Sequence, residues 1–142
     1  MPNHVYNRIE FQGDKEEIEK LFKKAQIKDS NGEESIFTFN AFVPMPEKVF
    51  RGSLGSEDKK QYPGTKNWYN WSIKYWGTKW DCYDITIYKN ILEFGTAWSP
   101  PFPIIKAISK QFPKLKIFYS YEEPLMELEG NLILKAGRQI RA

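Results

Sequence analysis

The chain has 142 residues, 41% hydrophobic and 16% aromatic, which is enough apolar surface for one domain with its own core. Its 21 Lys and Arg exceed 18 Asp and Glu by only 3, too little to imply polyanion binding without a local basic patch. A lone cysteine, Cys82, excludes an internal disulfide framework, and one His with one Cys cannot complete a zinc site in a monomer.

"HVYNRIEF" alternates, with Val5, Asn7, Ile9 and Phe11 on one parity and Tyr6, Arg8 and Glu10 on the other, which predicts a strand with one buried face. Gly13 breaks the pattern. Asp14 and Glu17 have capping-box spacing, and Ile18, Leu21, Phe22 and Ala25 form one apolar helical face. "KDSNGEES" (28–35) is turn chemistry, and "IFTFNAF" (36–42) predicts a return to extended chain. Pro44 and Pro46 forbid a regular central strand, and residues 51–66, with little to bury, read as a mobile loop.

"NWYNWSIKYWG" (67–77) sets Trp68, Trp71 and Tyr75 on one helical stripe and Tyr69, Ile73 and Trp76 on the next. Asn67 suits the start of that helix and Gly77 its end, although aromatic rings also suit a strand. "DITIY" and "ILEFGTAW" predict a hairpin through Lys89–Asn90. "SPPFPIIKAISKQF" predicts a helix with prolines at its entry and Ile104, Ile105, Ile108 and Phe112 on its buried face. "KIFYSYEE" is a further strand, and "LMELEGNLILK" predicts a hairpin pivoting near Gly130–Asn131.

With residues 36–77 set aside as an insertion, the order is β-α-β-β-α-β. This predicts a single α+β ferredoxin-like domain spanning 1–142, its antiparallel sheet covered by helices on one face and carrying an aromatic-rich loop and helix insertion. No apolar run approaches the ~20 residues of a membrane helix, and the N-terminus lacks a secretory pattern. The expectation is a cytoplasmic protein with no membrane partner.

Two tryptophan-bearing segments carry a family resemblance: Trp76, Gly77, Thr78, Lys79, Trp80 and Asp81, then Thr96, Ala97, Trp98, Ser99, Pro100 and Pro101. With "MPNHVYNRIEFQG", "FVPMPE" and "YSYEEPLMELEG", in which Ser120 departs from a commoner aromatic, they make the chain resemble the YubB ferredoxin-like domain family over nearly its whole length. That resemblance implies the same fold and a setting in phages, conjugative plasmids or other mobile elements. It carries no catalytic residues across.

Catalysis has little to work with. His4 reads as a polar strand residue and Cys82 as a small residue with no base beside it. Asp81 with Asp84, or Glu122 with Glu123, are the remaining acid–base or cation-holding pairs, but neighbours on a strand diverge. The expectation is therefore no enzyme, no cofactor and no metal site. Single-stranded nucleic acid is the alternative partner, stacked on Tyr6, Tyr88, Tyr119 and Tyr121 with Arg8 beside them.

All five tryptophans fall between residues 67 and 98, and each buries on the order of 200 Å² when enclosed. At ~25 cal/mol/Å² that is several kcal/mol per ring. This predicts a secondary core that pins the insertion onto the open face of the sheet. Rings left outside mark a surface for a protein partner, with Trp76, Lys79, Trp80, Asp81, Trp98 and Ser99 as the candidate residues.

Overall fold

The alternation of the first strand sets the two faces of the sheet. In the computed structural model, which describes residues 3–28 and 32–141, β1 (His4–Gln12) buries Val5, Asn7, Ile9 and Phe11 and exposes His4, Tyr6 and Arg8. The elements that follow are α1 (Lys15–Lys24), the short strands β2 (Ile27–Lys28) and β3 (Glu34–Ser35), α2 (Ser56–Gln61) and α3 (Trp68–Tyr75). Then come β4 (Tyr83–Tyr88), β5 (Ile91–Ala97), α4 (Phe102–Gln111), β6 (Lys116–Glu123), β7 (Leu128–Lys135) and β8 (Arg138–Ile140).

Among the described residues the main sheet runs β4-β5-β1-β6-β7-β8, antiparallel at each pairing. β1 therefore separates β5 from β6, and β5 separates β4 from β1. Each helical crossover straddles an antiparallel neighbour, which is the split arrangement of an α+β ferredoxin-like fold, extended at one edge by β7 and β8. Ile9 and Phe11 of β1, Leu92 and Phe94 of β5 and Ile117 of β6 form the sheet's contribution to the core. They share one cluster with Leu21 of α1 and Ile104, Ile105 and Ile108 of α4.

Four local expectations are corrected. Asp14 is the N-cap residue of α1, but its exposed carboxylate makes no cap bond; its carbonyl accepts from the N–H groups of Glu17 and Ile18 instead. Residues 36–42 do not form a strand: Phe37, Thr38 and Phe39 are buried in succession, and Phe39–Ala41 is a 3-10 turn capped by the Thr38 hydroxyl. The turn expected over 28–35 falls partly on residues 29–31, outside those described, while its flanks pair as β2 and β3.

Residues 51–66 are not a bare loop. They hold α2 and a 3-10 turn, Gly64–Lys66, and a backbone bridge joins Phe50 to Asn67. Finally, β7 runs unbroken through Gly130–Asn131, paired with Tyr121 and Ser120. The hairpin pivots at Ala136–Gly137, whose φ values of 53° and 80° suit the mirror-image turn that follows strand twist.

The insertion also lies on the other side of the sheet from that expected. Phe37 stacks on Phe94 at 5.5 Å, Phe39 meets Phe94 edge-on at 5.8 Å, and Phe42 meets Phe112 at 6.5 Å. Phe94 pairs with Asn7 on the helix-facing parity, so the insertion extends the helix-side core. The opposite face stays open, lined by Tyr6, Arg8, Thr86, Tyr88 and Glu93, all exposed.

Candidate recognition surface

α3 ends where the first tryptophan motif begins. Asn67 caps its start by accepting from the Asn70 N–H at 2.9 Å, and Trp71 and Trp76 turn inward. Trp76 is buried, edge-on to Trp71 at 5.2 Å, and its indole N–H donates to the Val43 carbonyl at 2.8 Å. It is a core residue that anchors the insertion, which removes it from the expected surface. Gly77 turns the chain at φ 80°, and a Cβ there would sit 2.5 Å from Cδ of Pro103. The chain can therefore pass against the start of α4 only as glycine.

The next residues lock the two motifs together. The Thr78 hydroxyl donates to the Ala97 carbonyl at 2.7 Å, and the Ser99 hydroxyl donates to the Gly77 carbonyl at 2.6 Å. Asp81 is consumed structurally. Its carboxylate accepts from the Thr38 hydroxyl, from the Phe39 N–H at 2.9 Å and from the Cys82 N–H at 2.8 Å. Between these anchors Lys79 and Trp80 are held outward, with the ammonium 4.5 Å from the ring centroid in a cation–π contact. Trp80 remains 38% exposed.

Trp98 is displayed at a backbone cost. Its φ is 72°, a left-handed value that bulky residues rarely adopt. The Ser99 N–H donates back to Ala97 at 2.9 Å, closing a three-residue γ-turn of the strained hand around Trp98. The Trp98 N–H donates to the Asn3 carbonyl at 2.8 Å, and the Thr96 hydroxyl donates to the Ser99 carbonyl at 2.9 Å. Nothing about that framework buries the indole, which is 48% exposed.

The register places further apolar side chains at the same end of the sheet. His4 pairs with Ala97 and Tyr6 with Glu122, so the end of β5, the start of β1 and the end of β6 lie side by side. After β6 the buried Glu123 carboxylate accepts from the N–H groups of Leu125 and Met126, holding a 3-10 turn (Pro124–Met126) whose side chains face water. Leu125 is 84% exposed, and Met126 and Phe102 are also exposed. Sequence reading missed these three. Their signal was an apolar pair directly after a proline that could not extend a strand, and a Phe in the first turn of α4 rather than on its buried stripe.

The open face holds only part of the aromatic set expected there. Tyr6 and Tyr88 are exposed on it with Arg8, whose Nε lies 3.9 Å from a Glu93 carboxylate oxygen. Tyr119 and Tyr121 point the other way, because Ile117, Tyr119 and Tyr121 share the helix-facing parity. Tyr119 is buried, and Tyr121 packs edge-on to Phe102 at 5.3 Å. Neither joins Tyr6 and Tyr88 on the open face to build a stacking platform there. His4 and Tyr83 share a hydrogen bond on the open face.

The reactive candidates are separated or engaged. Burial, and then the adjacent Asp81, push the Cys82 thiol far above its usual range. Asp84 is exposed at φ 52° within the irregular start of β4. Glu122 is exposed while Glu123 is buried, so the pair diverges as the strand period requires. Among the described residues no group of three or more His, Cys, Asp or Glu side chains is placed to hold a metal ion, and no helix is long and apolar enough to cross a membrane.

No curated protein matches the chain. The crystal structure of a protein api92 from Yersinia pseudotuberculosis is similar at 19% identity and a TM-score of 0.45, over 55% of this chain and 30% of that one. This chain thus spans under a third of that protein's length. Residues 75–142, from the end of α3 through β8, match a family model described as the ferredoxin-like domain in Api92-like protein.

Proposed function

We propose that the protein is a non-enzymatic binding or accessory protein that recognises a protein partner through the end of the sheet built by Lys79, Trp80, Trp98 and Ser99, with Phe102, Leu125 and Met126. The observation that carries this reading is the strained Trp98 turn. A positive φ at a tryptophan costs on the order of 1–3 kcal/mol, and here it holds a half-exposed indole in water. A ring of that size stabilises a fold by enclosure, so a costly turn that leaves it open fits an intermolecular contact. The resemblance of the two tryptophan motifs to mobile-element proteins supports a phage, plasmid or related setting and a cytoplasmic location.

Site-specific photo-crosslinking in the native cells tests this. A photoreactive phenylalanine analogue in place of Trp98 or Leu125 is expected to give a discrete protein adduct, and the same group at Lys20 of α1 is expected to give none. Equal adducts at all three positions, or none at either surface position, would sink the proposal.

Single-stranded nucleic acid is the second reading, favoured by the exposure of Tyr6 and Tyr88 beside Arg8 on the open face. Glu93, Glu122 and Glu129 are exposed on that same face and oppose a polyanion.

A further inference from the structure

The insertion contains a cavity of about 650 Å³, within the size range of small-molecule sites, on the side of α3 that carries Trp71 and Tyr75. Rings and apolar groups line it: Trp71, Tyr75, Tyr62 and Val49. Lys48 and Lys66 supply the charge, and no carboxylate lines it. We propose that this cavity binds a small organic anion bearing an aromatic ring, such as an aryl phosphate or aryl carboxylate.

The walls are built rather than incidental. On one side the Arg51 guanidinium donates to the carbonyls of Met45, Pro46, Glu47 and Val49 at 3.0 to 3.1 Å, wrapping the 45–49 segment around a single side chain. That fixes the backbone bearing Lys48 and Val49. On the other side the buried Asn67 amide donates to the carbonyls of Tyr62 and Gly64 at 2.8 and 3.2 Å. The Phe50 N–H donates to the Lys66 carbonyl at 2.9 Å, so the two walls are also bonded to each other. Phe50 and Tyr62 stack at 4.3 Å with nearly parallel planes, bracing the Tyr62 ring.

A region whose composition reads as mobile is thus held by side-chain-to-backbone bonds, which lowers the ordering cost of binding. The partly exposed Tyr75 ring offers a π surface for a planar ligand and rests on the buried Trp71, 4.9 Å away at a 39° tilt, so that Trp71 forms the floor of the cavity. The two lysines supply positive potential with no acid in the lining to cancel it, and a partly enclosed wall focuses that potential on an anion. An uncharged aromatic ligand leaves the ammonium groups unused, and a bare anion leaves the rings unused. Both halves of the ligand are therefore required.

The test is a titration of the intact protein with phenyl phosphate and with phenylacetate, read by the indole N–H resonances in two-dimensional NMR. At least one of them is expected to shift the Trp71 resonance saturably while leaving that of Trp98 in place. Inorganic phosphate and benzyl alcohol should each bind at least about tenfold more weakly, the loss expected for one charged hydrogen bond or one ring contact. The Lys48→Met/Lys66→Met variant, altered only at exposed side chains, should lose about tenfold or more in affinity with an unchanged thermal midpoint. Tyr75→Leu, which deletes a partly exposed ring, should weaken binding independently of the lysines. No saturable shift at Trp71 with either aryl anion overturns the proposal, as does undiminished affinity in the lysine variant or in Tyr75→Leu.

Discussion

The phenolic hydroxyl of Tyr119 donates a 2.5 Å hydrogen bond to Oδ1 of Asn7, with both side chains buried between β1 and β6. The Asn7 amide in turn donates to the Phe94 carbonyl at 3.3 Å and to the Thr96 hydroxyl at 3.1 Å, so one polar group joins three strands beneath the helices. Burial, and then the neighbouring Tyr121, raise the pKa of this phenol above the ordinary tyrosine value of 10.0. A raised folded-state value means the native protein holds the proton more tightly. The stability it contributes is complete below pH 10.0 and is lost as pH rises toward the folded-state value.

Tyr119→Phe is therefore expected to cost about 1–2 kcal/mol at neutral pH, because the buried Asn7 oxygen loses its donor. Denaturant unfolding measures this. The gap between wild type and variant should narrow above about pH 10, where only the wild type must retain a phenolic proton. A gap that stays constant across that range contradicts the linkage.

Asp81 joins the insertion to the sheet through three donors, two of them on Thr38 and Phe39. Asp81→Ala is expected to destabilise the fold by about 2–4 kcal/mol, since two backbone N–H groups and a hydroxyl lose their acceptor together. Asp81→Asn, which keeps one carbonyl oxygen, should cost less. Thermal unfolding separates the two, and a neutral Asp81→Ala would detach the motif from its structural role.

The fold was legible where one physical demand dominated. Strand period 2 in β1, the apolar stripe of α4 and the Lys89–Asn90 turn each followed from neighbouring residues alone. The Asn67 cap of α3 was equally plain. What escaped was set by partners distant in sequence. Phe37 and Phe39 are packed by Phe94 and Trp76, so their alternation imitated a strand. Arg51 and Asn67 order a segment whose composition suggests mobility, because carbonyl-directed bonds leave no periodic trace. Of the predicted surface, the segment bearing Lys79 and Trp80 is tied to the one bearing Trp98 and Ser99 by the Thr78–Ala97 and Ser99–Gly77 bonds, while Trp76 faces inward and Asp81 is spent on Thr38, Phe39 and Cys82. Tyr119 was grouped with Tyr6 by ring type, whereas parity counted from Ile117 puts it on the helix-facing side of β6 instead.

The Cys82 thiol is half-buried, 3.7 Å from the Phe37 carbonyl, and burial with the adjacent Asp81 holds its pKa above the ordinary thiol range. Alkylation by iodoacetamide at pH 8 is expected to run about 100-fold slower in the native protein than in denaturant, since the thiolate is the reactive form. Equal rates would show a chain that opens there without cost.

Oligonucleotide binding separates the two functional readings. Fluorescence anisotropy with a labelled single-stranded 12-mer at about 50 mM salt is expected to show no saturable binding, because phosphate contacts would have to overcome the carboxylates beside Arg8. Tight binding that weakens steeply with salt and is lost in Tyr6→Ala would favour the nucleic-acid reading.

The five indoles divide into those that close the core, led by Trp71 and Trp76, and two that are displayed, Trp80 and Trp98. Acrylamide quenching of the wild type and of Trp80→Phe/Trp98→Phe reads that division directly. The wild type should show one quenchable and one shielded population, and the double variant should lose the quenchable one while its melting temperature holds. An accessible population that survives the double substitution, or a wild type shielded throughout, contradicts the displayed surface.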